Sequence, residues 1–269
     1  MVTLIFSDMH RKNPISTIEM LAQEMPVEKV VFLGDYDSAD LVRELIEFKL
    51  PEAEKIILPG NHDYPFMLES QEVGSAKVPL FLEEDFGEKE YGEEVEKWRR
   101  CPVLKEFAKR YLKRENMFVH VEDSKKRDIV YCHSSLYDSK CKERECAHVK
   151  YLPYQVRESF FSHEEGIKRE NNPIIRNNLL VMKQMGYSIF FRAHDHTQIG
   201  WSICKDENPL TAGMHFHEDP TIRDFELTLE PERRYIVSVG AFIRDSYAIF
   251  DEKNFKVKLV DRRTRLSGI

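Results

Sequence analysis

The chain has 269 residues, of which 42% are hydrophobic and 32% charged, and 40 basic against 47 acidic side chains give a formal net charge of -7. This composition excludes a collagenous or largely disordered chain, and no apolar run approaches the roughly 18 residues that cross a bilayer. The acidic balance argues against binding to an extended nucleic acid, because affinity for a polyphosphate backbone comes largely from Lys and Arg.

The start of the chain and its cysteines both favour a cytoplasmic location. Met1 is followed at once by the apolar run 2–6, without the basic lead of a secretory signal. The five cysteines are irregularly spaced in a chain too large to depend on disulfides. We therefore expect a reducing compartment and no membrane partner, while the oligomeric state stays open.

Short β-branched or aromatic runs alternate with helical patterns in the first half of the chain and follow one another in the last fifty residues. The 3.6-residue period predicts helices around 15–25, 41–46, 104–112 and 174–182. Strands are predicted at 2–6, 29–33, 55–58, 117–121, 129–132, 188–191, 224–229, 234–239, 246–250 and 255–260. This order predicts one α/β domain over 1–269, with two sheets and charged helical insertions at 68–116 and 136–186.

Polar clusters follow five of the predicted strands directly. They are Asp8-Met9-His10, Gly34-Asp35-Tyr36-Asp37, Gly60-Asn61-His62-Asp63, His133, and His194-Asp195-His196. Because ligands of open α/β sheets bind outside the carboxyl ends of strands, we expect these clusters to meet in space. Asp, Asn and His supply the oxygen and imidazole ligands that suit Mn, Fe, Zn or Mg. Two such pairs and a central carboxylate can hold two ions about 3.5–4 Å apart, as in two-metal hydrolysis.

The ordered series D-x-H, G-D, G-N-H-D, H and H-x-H resembles the pattern of the calcineurin-like metallophosphoesterases. The late Ser238-Val239-Gly240 resembles the ending of their smaller prokaryotic branch, which includes small phosphodiesterases and diadenosine-tetraphosphatase-like enzymes. The resemblance implies a four-layer α/β/β/α sandwich of two mixed sheets with helical insertions. It also implies hydrolysis of a small phosphate ester, either a diester or a monoester, with nucleotides among the candidate substrates. Two divalent cations would be bound, with Mn expected and Fe, Zn, Ni or Mg as alternatives.

The resemblance also implies roles for single residues. The first metal would be held by Asp8, His10 and His196, the second by Asn61, His133 and His194, with Asp35 bridging both. A hydroxide shared by the metals would attack phosphorus, and His62 would act as general acid, oriented by Asp63. The candidates for binding substrate phosphate are Arg11, Arg192 and Arg244, because a guanidinium offers two parallel donors; a solvated surface position is the alternative for each.

Three positions depart from the family pattern. Ala193 stands where members usually have Gly. The usual second Asp of G-D-x-x-D is displaced, because Asp37 lies two residues after Asp35 and position 38 is Ser. The D-R-G continuation of the protein Ser/Thr phosphatases is also absent. The displaced Asp and the missing D-R-G continuation argue against a protein phosphatase. Asp37 precedes a predicted helix, so we expect it to be the helix N-cap.

Two other functions remain open. A nuclease of the same superfamily is disfavoured by the acidic balance, and a non-catalytic scaffold is disfavoured by the presence of His62 and of every expected ligand. The insertions at 68–116 and 136–186 are expected to restrict access and decide specificity. His215 and His217 are expected to lie in an ordinary strand or loop.

Overall fold

The computed structural model describes residues 1–71, 78–79, 82–83, 85–113, 119–122, 128–137, 172–217 and 224–262. Much of the predicted insertion 136–186, namely 138–171, therefore lies outside the described residues. The helices are α1 (Ile15–Glu24), α2 (Ala39–Glu47), α3 (Asp63–Gln71), α4 (Glu88–Arg100), α5 (Pro102–Leu112) and α6 (Pro173–Met185). The strands are β1 (Val2–Phe6), β2 (Val27–Phe32), β3 (Glu54–Ile57), β4 (Val119–Glu122), β5 (Ile129–Cys132), β6 (Ile189–Arg192), β7 (Gln198–Cys204), β8 (His215–His217), β9 (Asp224–Thr228), β10 (Arg233–Val239), β11 (Ser246–Asp251) and β12 (Lys256–Asp261).

These strands form two mixed sheets of six strands each. The first has the order β3-β2-β1-β11-β12-β9 and the second the order β4-β5-β6-β10-β7-β8. Strands β1, β2 and β3 run parallel to one another in the first sheet. In the second sheet β5, β6 and β10 are parallel. The carboxyl ends of these parallel strands carry the polar clusters that the sequence places there.

Apolar side chains from both sheets form one core, so the sheets pack face to face. Phe191 of β6 and Phe250 of β11 meet across this interface with ring centroids 5.3 Å apart. A second cluster joins the other face of the second sheet to α6, through Trp201, Leu179 and Met182. This confirms the predicted α/β sandwich of two mixed sheets with helices packed against it.

Local sequence signals explain where several helices begin and end. The side chain of Asn172 accepts hydrogen bonds from the first turn of α6, and Gly186 ends that helix in the left-handed conformation with φ 83°. Pro102 occupies the first turn of α5, where its missing N–H costs nothing. The charged segment before α5 forms α4, whose Tyr91, Val95 and Trp98 are buried at helical spacing.

The structure corrects the sequence predictions at two points. The cap of α2 is Ser38, whose hydroxyl accepts from the Leu41 N–H at 3.3 Å, and not Asp37. Strands β7 and β8 were not predicted, because Gly200 interrupts the apolar pattern of β7. A Cβ at Gly200 would lie 3.2 Å from the side chains of His217 and Leu227, so this glycine permits close packing.

Among the described residues, no helix is both long and apolar enough to cross a membrane.

Candidate metal centre

Main-chain hydrogen bonds join the loop after β1 to the loop after β2, and the loop after β5 to the loop after β6, and the His194 N–H links the two pairs by donating to Asp8 Oδ2 at 3.2 Å. The N–H of Asp8 donates to the Gly34 carbonyl at 3.0 Å, and that of His10 donates to the Asp35 carbonyl at 2.9 Å. In the second sheet the N–H of Ala193 donates to the His133 carbonyl at 2.9 Å. The polar clusters therefore meet at one edge of the sandwich, as the strand-end positions predict.

Five of the seven expected ligands have a left-handed backbone. The φ angles are 46° for Asp8, 42° for His10, 57° for Asp35, 74° for His194 and 54° for His196. Such angles are uncommon outside glycine, and strained backbone of this kind concentrates at functional sites. The strain supports a functional interpretation of these loops independently of their residue types.

The first ligand group consists of Asp8, His10 and His196, whose ligand atoms lie within 4.8 Å of one another. The Nε2 atoms of His10 and His196 are 3.3 Å apart, and Nε2 of His196 is 3.3 Å from Asp8 Oδ1. That carboxylate oxygen is buried and accepts no hydrogen bond from the described residues. A buried oxygen without a donor, faced by two imidazole nitrogens, fits a cation between them.

The second group consists of Asp35, His133 and His194, and Asn61 adjoins it. His133 Nε2 lies 3.3 Å from Asp35 Oδ2 and 3.0 Å from Asn61 Oδ1. The other ring nitrogen of His133, Nδ1, bonds to the Leu33 carbonyl, which fixes the ring with Nε2 toward the site. The two groups thus supply the oxygen and imidazole donors that divalent transition metals prefer.

Asp37 contacts two histidines at once, a role that the sequence analysis missed. Its Oδ2 lies 2.6 Å from Nδ1 of His10, and its Oδ1 lies 2.8 Å from Nδ1 of His62. The carboxylate therefore orients both a ligand ring and the ring of the expected acid. The departure of Asp37 from the usual G-D-x-x-D spacing was the only sequence signal that could have indicated it.

The role expected for Asp63 is corrected accordingly. Its carboxylate accepts the backbone N–H groups of Asp35 at 2.8 Å, Tyr36 at 3.0 Å and Gly60 at 2.8 Å. Asp63 begins α3 and ties together the loops that follow β2 and β3. The partner of the His62 imidazole is Asp37, whereas Asp63 shapes the backbone beneath it.

The histidines of the site differ in their protonation because they face different neighbouring charges. Burial lowers the pKa of His62, but the carboxylates of Asp35 and Asp37 raise it to about 10, so this ring keeps its proton at neutral pH. Burial and the nearby His133 lower the pKa of His194 to about 4, which leaves that ring neutral and able to bind a metal. Burial alone would raise the pKa of Asp35, yet the charges of His133 and His62 hold it well below its usual range.

Two glycines let the loops approach each other. Gly34 has φ 96°, and a Cβ there would overlap the backbone of Gly60. A Cβ at Gly60 would in turn overlap the carboxylate of Asp35. Only glycine fits at this contact, which brings Asp35 beside Asn61.

The three arginines that were candidates for substrate phosphate differ in exposure. Arg192 is fully buried and pairs with Asp195, so its assignment to substrate was wrong. Arg11 is exposed, pairs with Glu90 of α4 at 2.7 Å and lies 4.4 Å over the ring of Phe86. Arg244 is also exposed, in a short 3-10 helix at Phe242–Arg244.

The histidines of β8 lie in an edge strand of the second sheet, as the sequence analysis expected. His217 Nε2 is 2.8 Å from Ser202 Oγ of β7, and the same hydroxyl accepts from Arg233 Nε at 2.9 Å. His217 is therefore bonded within the sheet.

Comparisons with known proteins agree with the geometry. The model of the calcineurin-like phosphoesterase family matches residues 1–198. A metallophosphoesterase from Sphaerobacter thermophilus aligns with a TM-score of 0.55 at 18% identity, over 97% of this chain and 88% of its own. A hypothetical protein from Pyrococcus horikoshii OT3 aligns with a TM-score of 0.53 at 12% identity, over 97% and 87% of the two chains. A search of curated proteins finds no match. The structural matches share the fold, and the family match covers most of the sequence: the chain belongs to the calcineurin-like phosphoesterases.

Proposed function

We propose that the protein is a dinuclear-metal phosphoesterase that hydrolyses a small phosphate ester. The observation that supports this most directly is the pair of ligand groups around Asp8 and Asp35, with a protonated His62 beside them. Asp8, His10 and His196 would hold one ion, and Asn61, His133 and His194 the other, with Asp35 shared. When bound, two divalent cations supply a nucleophile from water at neutral pH and neutralise charge on the phosphoryl group.

His62 is suited to protonate the leaving oxygen. The backbone N–H of His62 donates to Asp35 Oδ1 at 3.0 Å, which fixes the residue beside the shared ligand. Its ring centroid is 4.8 Å from that of His10, so the proton on His62 is held next to the first ligand group. Asp37 accepts from Nδ1, which fixes the orientation of the ring beside the ligand groups. Proton donation of this kind contributes about 10²–10⁴ to a rate.

The side chains of Arg11 and Arg244, which lie on loops of the site, suit an anionic substrate. The loop that carries Arg244 is tied to the site, because the N–H of Ile243 donates to the Asp8 carbonyl at 3.1 Å. Arg11 follows the ligand His10 directly, and a substrate phosphate would compete with Glu90 for its guanidinium. We propose Mn as the metal, and a phosphodiester or nucleotide as the substrate. We also propose a cytoplasmic location, which suits the thiols of Cys101 and Cys204.

The test is a screen of metal-loaded protein against aryl mono- and diesters, a nucleotide panel and a labelled oligonucleotide. We expect Mn-dependent release of product from a small ester, abolished by Asp35→Ala and reduced by about 10²–10⁴ in His62→Ala. Exposed Asp40→Ala in α2 is the matched control, and its rate should equal that of the unmodified protein. Metal binding without hydrolysis of any ester would support the scaffold instead, and cleavage of the oligonucleotide alone would support the nuclease.

A further inference from the structure

Arg192 is a buried cation in contact with two loops of the metal centre. It is the last residue of β6, and its side chain is 0% exposed. Its Nε donates to the carbonyl of Ser134 at 2.8 Å, and its NH1 pairs with the carboxylate of Asp195, which is 3% exposed. Ser134 follows His133, and Asp195 lies between His194 and His196. One guanidinium thus contacts a neighbour of each of three expected ligands.

The turn that this cation spans is strained. His194 and His196 have φ angles of 74° and 54°, on either side of Asp195. The ion pair from Arg192 to Asp195 closes the turn from its first residue to its fourth. One left-handed residue within this turn and another directly after it need contacts that outweigh their strain, about 1–3 kcal/mol for each such residue. The ion pair between Arg192 and Asp195 supplies such a contact in the loop that carries His194 and His196.

Stability alone is a poor explanation for this ion pair. A buried cation loses its hydration, and replacing a buried pair with apolar side chains of similar size is often neutral or stabilising. Arg192 lies in a strand whose neighbouring residues Phe190, Phe191 and Ala193 are all buried and apolar. What an apolar residue could not provide is a directed link between the Ser134 carbonyl and the Asp195 carboxylate.

We propose that Arg192 is a positioning residue of the metal centre: it fixes His133 and His194 relative to each other and thereby sets the affinity for the ion at the second ligand group. The inference rests on the proposed dinuclear site. It assigns to Arg192 a role in metal binding, in place of contact with substrate.

The test compares Mn²⁺ binding by the full, metal-free chain with that of Arg192→Met, Arg192→Lys and Asp195→Asn, by titration calorimetry and by the electron paramagnetic resonance of free Mn²⁺. Lys29→Met is the matched control, because Lys29 is also a nearly buried cation paired with a carboxylate, Glu122, and both lie away from the ligand loops. We expect Arg192→Met and Asp195→Asn to weaken one of the two Mn²⁺ affinities by about 10–100-fold, the usual effect of removing a partner of a ligand. Arg192→Lys should fall between these variants and the unmodified chain, since it keeps the charge but has no fork of donors. Lys29→Met should lower the thermal midpoint and leave both affinities unchanged.

The possible results distinguish the role of Arg192 from the proposed function. Unchanged Mn²⁺ affinities in Arg192→Met, or in Asp195→Asn and Arg192→Lys if Arg192→Met does not fold, would overturn the inference. Two bound Mn²⁺ ions without hydrolysis in the unmodified chain would overturn the proposed function alone, and the variants would still decide the role of Arg192. A chain that binds no Mn²⁺ would overturn both.

Discussion

Substitution of Asp37 by Asn tests the link between the ligand His10 and the proposed acid His62. Both carboxylate oxygens of Asp37 are used, at 2.6 Å from His10 Nδ1 and 2.8 Å from His62 Nδ1, and its side chain is 4% exposed. Asn has the same shape but only one acceptor oxygen, and its NH₂ group is a donor. One of the two imidazole N–H groups must therefore lose its acceptor.

The size of the effect follows from that lost bond. A hydrogen bond to a charged group is worth about 1.5–3 kcal/mol, which corresponds to about 10- to 150-fold in kcat/KM. The loss of charge also acts on the pKa of His62. Burial lowers this pKa, and the carboxylates of Asp35 and Asp37 raise it to about 10, so the variant must have a lower value. Bound cations would lower the pKa of His62 in the variant and in the unmodified protein alike. Both proteins are therefore compared with the same metal.

The assay is the pH dependence of kcat/KM on a chromogenic diester at saturating Mn²⁺. A general acid must be protonated, so activity is present below the pKa of His62 and is lost as the pH rises through it. Asp37→Asn should therefore lower the plateau and move the alkaline limb to lower pH. Asp40→Asn, at an exposed position of the neighbouring helix, should do neither. An unchanged plateau and limb in Asp37→Asn would refute the assigned role of Asp37.

Four further outcomes are expected. His62→Gln should lower kcat by about 10²–10⁴ while leaving the Mn²⁺ content unchanged, because the proposed role of the ring is that of an acid and not of a ligand; loss of metal on elemental analysis would contradict that role. Gly60→Ala should abolish Mn²⁺ binding, since its Cβ would overlap the Asp35 carboxylate, and full metal content would show that the loops can shift. Lys29→Met should lower the free energy of unfolding by about 1–3 kcal/mol in chemical denaturation, because Glu122 keeps its burial but loses this cation; an unchanged midpoint would show that the pair adds no stability. Chelation should lower the thermal midpoint and restored Mn²⁺ should raise it with concentration, because a ligand of the folded state stabilises that state; a midpoint independent of Mn²⁺ would contradict a bound metal.

The sequence predicted the sandwich and the meeting of the polar clusters because both depend on local signals. Apolar runs of four to six residues locate the central strands, and residues at the carboxyl ends of parallel strands have to share one edge. Pro102 in the first turn of α5 and Gly186 directly after α6 are local signals of the same kind. By contrast, β7 contains Gly200, whose fit depends on His217 and Leu227 from other strands. No local pattern specifies that contact.

The roles of single polar residues were harder to predict because their partners are distant in sequence. Asp37 stands before a helix, where an Asp is usually a cap, but its partners His10 and His62 are set by the packing of three loops. Asp63 adjoins His62 in sequence, yet its carboxylate turns to backbone N–H groups. Arg192 ends a strand beside a ligand pair, and only the fold decides that it is buried. Residue type and spacing predicted where the chemistry lies, and the fold decided how its parts are connected.

Buried strands and hydrogen bonds within the loops together hold the residues of the site in place. Left-handed backbone at Asp8, Asp35 and His194 is unfavourable in an isolated chain, since each such residue costs about 1–3 kcal/mol. The loops are nevertheless held, because buried strands precede them and because Asp63 supplies an acceptor to three of their N–H groups. With the backbone so constrained, carboxylates and imidazoles are kept close together in the protein interior, where repulsion and lost hydration oppose them. A pair of cations at the proposed site would relieve that repulsion, and the free energy spent in assembling the ligands would then contribute to the affinity for metal.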